Sequence, residues 1–305
     1  MTWLLIAHGG CGDWSRELDE PKKRELEDAL WEGVRALKNG NAIDSVEVTV
    51  KRLEDSKMFN AGLGSVPNMK GYIEMDSSIM DGKTLKAGAV AQLTIIKNPI
   101  RLARLIMEKD RHLFYAGWEI EKRGILDGLE VADPLTEERR AMWIKALQSN
   151  IDGRNGRGQN ILLETVGAVA IDKDGNVASA SSTGGLPLKS PGRISDTAVI
   201  GAGIYADNSS GGAAITGIGE IAIRITAARY VCFSMEMGYS AQEAVDRLMQ
   251  IVNNRFNKCP LGAIAADKFY RIGFAHNTPK MSIGYIMDGL TSARIATSSS
   301  QLPKP

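Results

Sequence analysis

Apolar residues recur along the chain either at every second position or at every third to fourth, and the switches between these periods place the elements. Thr2–Ala7 is a continuous apolar run of the kind an inner strand carries. Pro21–Asn39 sets Leu26, Ala29, Leu30, Val34 and Leu37 on one helical face and stops at Gly40. Asn41 is positioned to cap a second helix through Leu53, with Ala42, Val46, Val50 and Leu53 inward. "FNAGLGSV" (Phe59–Val66) reads as a loop whose glycines permit unusual backbone angles. Tyr72–Met80 and Ala87–Ile96 read as strands, Ile100–Lys109 and Leu113–Arg123 as short helices, and Thr136–Gln148 as a third amphipathic helix.

From Ser149 to Gln159 the composition shifts to Gly, Asn and Arg, which is a linker composition. Beyond Thr165 strands dominate: Val166–Ile171, Val177–Ser182, Ala198–Gly203 and Ala213–Thr216. "DKDGNVA" (Asp172–Ala178) reads as an Asp-Gly hairpin turn. A long helix is expected from Gly219 to about Met237 and another from Ala241 to Asn253, followed by strands at Ala263–Ala266, Tyr270–Ala275 and Ile283–Met287. Each half supplies both strands and amphipathic helices, and these do not alternate as βαβα. Sheets apolar on both faces need helices outside them, so the expected fold is α+β, a four-layer αββα sandwich.

Composition narrows the function classes. The 305 residues carry a formal net charge of +1, so no global field selects nucleic acid or an anionic membrane. The charged run "EPKKRELED" (Glu20–Asp28) reads as a solvated helix face. Three cysteines, Cys11, Cys232 and Cys259, match no zinc or redox spacing and point to a reducing compartment. The start lacks the basic and long apolar regions of a signal peptide, and no run approaches the ~18 apolar residues of a membrane span. A soluble cytoplasmic protein is expected.

Candidate chemistry is sparse. "GAGIYA" (Gly201–Ala206) and "GIGEIA" (Gly217–Ala222) match a loose dinucleotide fingerprint, but such matches are cheap in a chain with 32 glycines. The N-terminus of the helix at Gly217–Glu220 does favour negative charge. Histidine occurs only as His8, His112 and His276, without a metal-binding spacing, and there is no GxSxG elbow. Thr165 opens a strand directly after the linker. Its hydroxyl is a weak nucleophile without a base. Were the Glu164–Thr165 bond cut, Thr165 would gain an α-amine titrating near pH ~7.7–8.0, so that nucleophile and base share one residue. The competing reading is an ordinary threonine at a strand start. "SASSTGG" (Ser179–Gly185) ends the next strand with hydroxyls and glycines. In "SPGRISD" (Ser190–Asp196), Arg193 and Asp196 could clamp an α-carboxylate and an α-ammonium, or form a surface ion pair. "TGIGE" (Thr216–Glu220) offers a hydroxyl and N–H groups for an oxyanion.

Taken together, "AHGG" (Ala7–Gly10), "LEDSKMFNAGLGS" (Leu53–Ser65), "EMDSSIMDG" (Glu74–Gly82), "TVGAVAIDKDGN", "STGG", "PGRISD", "GAGIYAD" and "TGIGE" resemble the plant-type asparaginase and isoaspartyl peptidase family of N-terminal nucleophile hydrolases. The resemblance covers most of the chain in the expected order. It implies autocleavage between Glu164 and Thr165, giving a large fragment 1–164 that ends in a linker of about 149–164, and a small fragment 165–305. Thr165 is then the nucleophile and Thr183 helps orient it. Arg193 binds a substrate α-carboxylate and Asp196 its α-amino group. Thr216 and Gly217 form the oxyanion hole, Gly219 lines the pocket, and Asn60 supports the site. No catalytic cofactor is implied. A sodium ion on the main-chain carbonyls of Leu53, Glu54, Ser56, Phe59, Ala61 and Leu63 is, as is pairing of two αβ units. The implied substrates are asparagine or a β-aspartyl dipeptide. The pattern departs at Glu164, where Gly is common and a charged side chain would slow processing. It departs again at Ser195, where Gly is frequent. A glycosylasparaginase-like amidase and a non-catalytic homologue are the alternatives.

Overall fold

Strand β1 (Leu4–Gly12) is buried along its whole length and serves two cores at once. Leu5 and Ala7 face one core, Leu4 and Ile6 the other, as the two-residue period of a strand requires. The computed structural model describes residues 2–151, 162–298 and Leu302. After β1 come α1 (Asp19–Asn39) and α2 (Ala42–Asp55), with the Asn41 side chain accepting from the Asp44 N–H at 3.0 Å as the expected cap. Then follow β2 (Met75–Asp81), β3 (Ala87–Leu93), α3 (Pro99–Lys109), β4 (Phe114–Ala116), α4 (Trp118–Leu126) and α5 (Glu137–Ile151). The remainder supplies β5 (Leu162–Leu163), β6 (Val166–Ile171), β7 (Val177–Thr183), β8 (Ile204–Asp207), β9 (Gly211–Gly217), α6 (Gly219–Ile225), α7 (Ala227–Glu236), α8 (Ala241–Arg255), β10 (Leu261–Asp267), β11 (Ile272–His276), β12 (Lys280–Met287) and β13 (Arg294–Ala296).

The larger sheet runs β13-β12-β1-β6-β7-β2-β3-β4, with β5 also on β1, and the smaller runs β11-β10-β9-β8. Three apolar layers hold four structural layers together. Helices α1, α2 and α3 pack on the larger sheet through Leu30, Val46, Val50, Leu102, Ala168 and Ala180. The sheets face each other through Ile6, Val169, Val177, Ile204, Ile264 and Phe274. Ala213, Ile215 and Ala263 meet Val231, Leu248 and Val252 of α7 and α8 on the far side. This is the αββα sandwich expected from the pattern.

Several elements differ from the sequence reading. Leu113–Arg123 is not one helix: Phe114–Ala116 pairs in parallel with Ala89–Ala91, and Gly117, at φ 78°, separates that strand from α4. Ala198–Gly203 is not a strand but a pair of turns after a short 3-10 segment at Asp196–Ala198, with Gly201 at φ 93°. Gly203 lies so close to Asp196 that a Cβ there would be 2.5 Å from the Asp196 carbonyl oxygen, and this fixes Asp196 from behind. The expected helix 219–237 is broken at Thr226, which adopts a left-handed conformation (φ 48°, ψ 56°) between α6 and α7. A β-branched residue carries no sequence signal for such a break. Helix α5 continues to Ile151, past the expected linker start at Ser149, and the rest of that linker to residue 161 lies outside the described residues. Within the Glu20–Asp28 run Leu26 points into the core, as expected, but so does one charged residue, Lys22, which is 1% exposed.

The two sheets touch closely near the start of β6. A Cβ on Gly167 would lie 2.5 Å from His8 Nε2 and 3.0 Å from the Ala214 Cβ. Gly167→Ala is therefore expected to cost about 1–3 kcal/mol through overpacking. A urea unfolding midpoint equal to that of the unsubstituted chain would show that the sheets separate there without penalty.

Candidate active site

The site forms where β1 loses step with its neighbours. His8 pairs with Gly167 of β6, and Cys11 pairs with Leu163 of β5. Between these pairs, Gly9 and Gly10 face three residues: Glu164, Thr165 and Val166. The extra residue makes a bulge, a device that re-aims side chains beside active sites. The glycines are required by contact. A Cβ on Gly9 would fall 2.2 Å from the Phe59 ring, and one on Gly10, which sits at φ 88°, would fall 2.2 Å from the Glu164 Cα.

Thr165, 7% exposed, projects to the end of β7, where its Oγ lies 3.1 Å from the Oγ of Thr183. The Thr183 hydroxyl in turn accepts from the Gly185 N–H at 3.0 Å. Asn60 joins this turn to the loop before β2. Its N–H donates to the Glu164 carbonyl at 3.1 Å, and its carbonyl accepts from the Gly184 N–H at 2.9 Å. Its side-chain amide donates to the Gly185 carbonyl at 2.6 Å and accepts from the Val66 N–H at 2.9 Å. Asn60 thus holds both the carbonyl before Thr165 and the backbone around Thr183.

Thr165 and Thr183 line a narrow cleft together with Gly185, Leu186, Arg193, Ser195, Asp196 and Gly217. Thr216 precedes Gly217 at the end of β9 and is buried. Gly219 sits under the clamp: a Cβ there would lie 2.6 Å from Asp196 Oδ1 and 2.8 Å from Arg193 Nη2. Only a residue without a side chain keeps both heads in place. Arg193 does not pair with Asp196. Its Nε and Nη2 donate, both at 2.9 Å, to the two oxygens of Glu220, a bidentate pair on the first turn of α6. Asp196 is buried, its Oδ2 lacks a partner, and desolvation pushes its carboxyl up to about 7 despite Arg193 nearby. A carboxylate in that state is poised for a cation. Among the described residues lining the cleft there is no histidine, lysine or cysteine. His8 lies close by, but burial pushes its imidazole down to about 3, and its Nδ1 accepts from the Gly10 N–H, so it is neutral and no base near pH 7.

Residues 1–294 match the family described as asparaginase. The chain belongs to that family. It is 40% identical to the plant-type L-asparaginase of Pyrococcus abyssi and 41% identical to that of Thermococcus kodakarensis, in each case over 94% of this chain and 97% of the relative. It is 44% identical to the isoaspartyl peptidase/L-asparaginase of Xenopus laevis, over 84% of this chain and 83% of the relative. The N-terminal nucleophile hydrolase fold of the asparaginase family agrees with the four layers described above.

Three features of this asparaginase-family site were not read from the sequence. Glu220 occupies the guanidinium of Arg193; its place three residues after Gly217 was noted only as part of a motif. Asp76 accepts from the Ser195 N–H at 2.7 Å and the Gln92 N–H at 3.1 Å, which fixes the turn carrying the clamp. Glu164, 1% exposed, is held by Lys22, whose Nζ donates to Oε1 at 2.5 Å, and by Arg139, whose Nη2 is 3.5 Å from Oε2. The loop Leu53–Leu63 curls tightly. Cβ atoms on Gly62 and Gly64 would lie 2.7 Å from the Glu54 carbonyl and 2.1 Å from the Phe59 carbonyl. The Glu54 side chain turns away, accepting from the Ile100 N–H at 3.0 Å, so main-chain oxygens are what this loop offers a cation.

The state of Asp196 has a consequence for stability. Its carboxyl is raised from an ordinary 3.8 to about 7, so folding favours the protonated form. Burial then costs nothing below pH ~4, costs progressively more up to pH ~7, and levels above, by a few kcal/mol at most. Asp196→Asn should therefore stabilise the chain, by an increment that grows between those two pH values. An increment that does not change with pH in denaturant titrations would show that Asp196 is ionised throughout.

Proposed function

We propose that the chain is a self-processing amidohydrolase that hydrolyses L-asparagine to L-aspartate and ammonia, cleaves β-aspartyl dipeptides, or does both, with Thr165 as nucleophile. The observation that carries this reading is the pairing of the Thr165 and Thr183 hydroxyls at 3.1 Å in a cleft with Arg193 and Asp196, with no histidine, lysine or cysteine among the described residues lining it. The base must then be supplied by the chain itself, and cleavage before Thr165 supplies it.

In the first phase Thr165 Oγ adds to the Glu164 carbonyl carbon. The C–N bond breaks as the hydroxyl proton passes to the leaving nitrogen, and water hydrolyses the resulting ester to a Glu164 carboxylate and the Thr165 hydroxyl, with Thr165 now carrying the α-amine of a new chain end. The Asn60 N–H, already on the Glu164 carbonyl, supports the oxyanion of this step. In the second phase the α-amine of Thr165 takes the proton from Oγ as it attacks the substrate amide carbonyl. Thr216 and Gly217 receive the oxyanion, Thr183 orients the nucleophile, and the amine returns the proton to the leaving ammonia or amino acid. Water then releases aspartate. The substrate α-ammonium meets the partnerless oxygen of Asp196, and its α-carboxylate shares Arg193 with Glu220.

The same reading includes a structural sodium ion on the carbonyls of Leu53, Glu54, Ser56, Phe59, Ala61 and Leu63. Oxygen-only ligation suits a hard cation, and the ion would stiffen the loop that carries Asn60. It includes pairing of two cleaved units and a cytoplasmic setting. The latter is supported by three free thiols, two of them buried. No helix among the described residues is long and apolar enough to cross a membrane.

Intact mass before and after incubation, paired with aspartate release from asparagine and from a β-aspartyl dipeptide, tests the reading. The expected result is two fragments split at 164/165 together with aspartate release. Thr165→Ala should give one unsplit chain and no aspartate, and an active Thr165→Ala variant would refute the assignment. Replacing sodium by a bulky organic cation should lower the melting temperature by several degrees, as removal of a native-state ligand does. A melting temperature insensitive to sodium would remove the ion from the account.

A further inference from the structure

Glu164 is the residue on the acyl side of the bond that self-cleavage would cut, and its side chain is enclosed. Lys22 and Arg139, 1% and 6% exposed, close on its carboxylate from α1 and α5. The Lys22 ammonium also donates to the Met58 carbonyl at 3.0 Å and lies 4.8 Å from the Phe59 ring centre and 5.1 Å from that of Trp14. Its stem and head are thus fixed on several sides, and it is not a mobile surface lysine. On the backbone side, Gly10 lies against the Glu164 Cα and the Asn60 N–H holds the carbonyl.

A buried carboxylate separated from its countercharges is several kcal/mol worse than a paired one. The position of the Lys22 ammonium therefore dictates where the Glu164 carboxylate sits. Three side-chain bonds away, and with Gly10 blocking retreat, it constrains the Cα and the carbonyl. The backbone has little else to hold it there: β5 contributes only the pairs Leu163 with Cys11 and Leu162 with Gly12.

We propose that Lys22, assisted by Arg139, is a positioning residue for self-cleavage, acting through the Glu164 side chain to hold the scissile carbonyl on the Asn60 N–H and in front of the Thr165 hydroxyl. This rests on the self-processing reading above. It gives the charged residue before the nucleophile a role opposite to the one the sequence suggested. Glu164 does not obstruct cleavage but is the handle by which the bond is held.

The test is a double-mutant cycle on the cleavage rate, followed by intact mass on freshly purified chain. Lys22→Met should slow fragment appearance about tenfold or more when Glu164 is present, and by about twofold or less in the Glu164→Gly background, where there is no handle. Melting curves of the same variants in the Thr165→Ala chain establish that each folds. Should Lys22→Met alone fail to fold, Lys22→Met/Arg139→Met/Glu164→Gln, which removes all three charges together, is expected to fold and to cleave about tenfold slower than the unsubstituted chain. Equal slowing in both backgrounds would make Lys22 a general structural residue. Either no slowing with Glu164 present, or wild-type cleavage by the charge-free triple variant, would overturn the anchor while leaving self-processing intact. An unsubstituted chain that never splits overturns the self-processing reading, and the anchor with it.

Discussion

One strand, β1, is bonded to the chain on both sides of the Glu164–Thr165 bond and is out of step by one residue across it. Most of the site follows from that mismatch. Two residues against three forces a bulge, and the bulge sends Thr165 toward Thr183 while Glu164 turns to Lys22 and Arg139. The bulge leaves no room for side chains on β1, hence Gly9 and Gly10. The space above Gly9 is filled by Phe59, which brings the neighbouring Asn60 to the Glu164 carbonyl. "HGG" and "FNAG" are thus one packing unit, separated by about fifty positions in the chain and joined by contact. On its other edge β1 is irregular too, since the register with β12 shifts between His8 and Cys11.

Two buried polar groups flank the bulge, and they are finished to different degrees. Around Glu164 every charged group has a partner: a carboxylate lies between two cations, each nearly inaccessible to solvent. Such a network is rigid because every displacement exposes an unpaired charge to a low-dielectric interior. Around Asp196 the balance is incomplete. Arg193 is engaged by Glu220, and one Asp196 oxygen has no partner. Burial without compensation is what raises the Asp196 carboxyl to about 7. A satisfied network holds a backbone still, whereas an unsatisfied one holds a place for a ligand. The first surrounds the Glu164 side chain, and the second lines the cleft with Thr165.

Much of this was legible in the sequence because it is local. α2 and its Asn41 cap, the Asp-Gly turn, and strands β6, β7, β9 and β10 follow from period and turn chemistry. Thr165, Thr183, Arg193, Asp196, Gly217 and Asn60 do come together, since each sits at a strand end or glycine-bearing turn whose motif is short. The errors share a cause. Thr226 in a left-handed conformation, the turns at 198–203 and the parallel pairing of Phe114–Ala116 are set by tertiary contact, and no period encodes them. Lys22 was hidden for the same reason. A lysine in a run of charges looks solvated until the partner, 142 residues later in the chain, is known. Glu220 was visible as a letter in a motif, but its grip on Arg193 needed the fold.

The sheet order explains how such a chain can be opened in its middle. Reading across the larger sheet, β13 and β12 come from after Thr165, β1 from before it, β6 and β7 from after, and β2, β3 and β4 from before. The strands of the two segments are interleaved, and β1 is bonded on both edges to strands of the other segment, over five residue pairs with β6 and seven with β12. The core beneath is shared as well, since α2 packs Val46 and Val50 on the same cluster as Val166, Ala168 and Ala180. Breaking one peptide bond at the bulge therefore removes no layer and exposes no apolar face. Separating the pieces would break the pairings of β1 with β6 and β12 and uncover the apolar cluster that the two segments share. What a cut does change is confined to the bulge, where a carboxylate and an amine replace an amide. A fold that is wound this way would tolerate a chain end deep inside it, because the packing around that end does not depend on the Glu164–Thr165 bond.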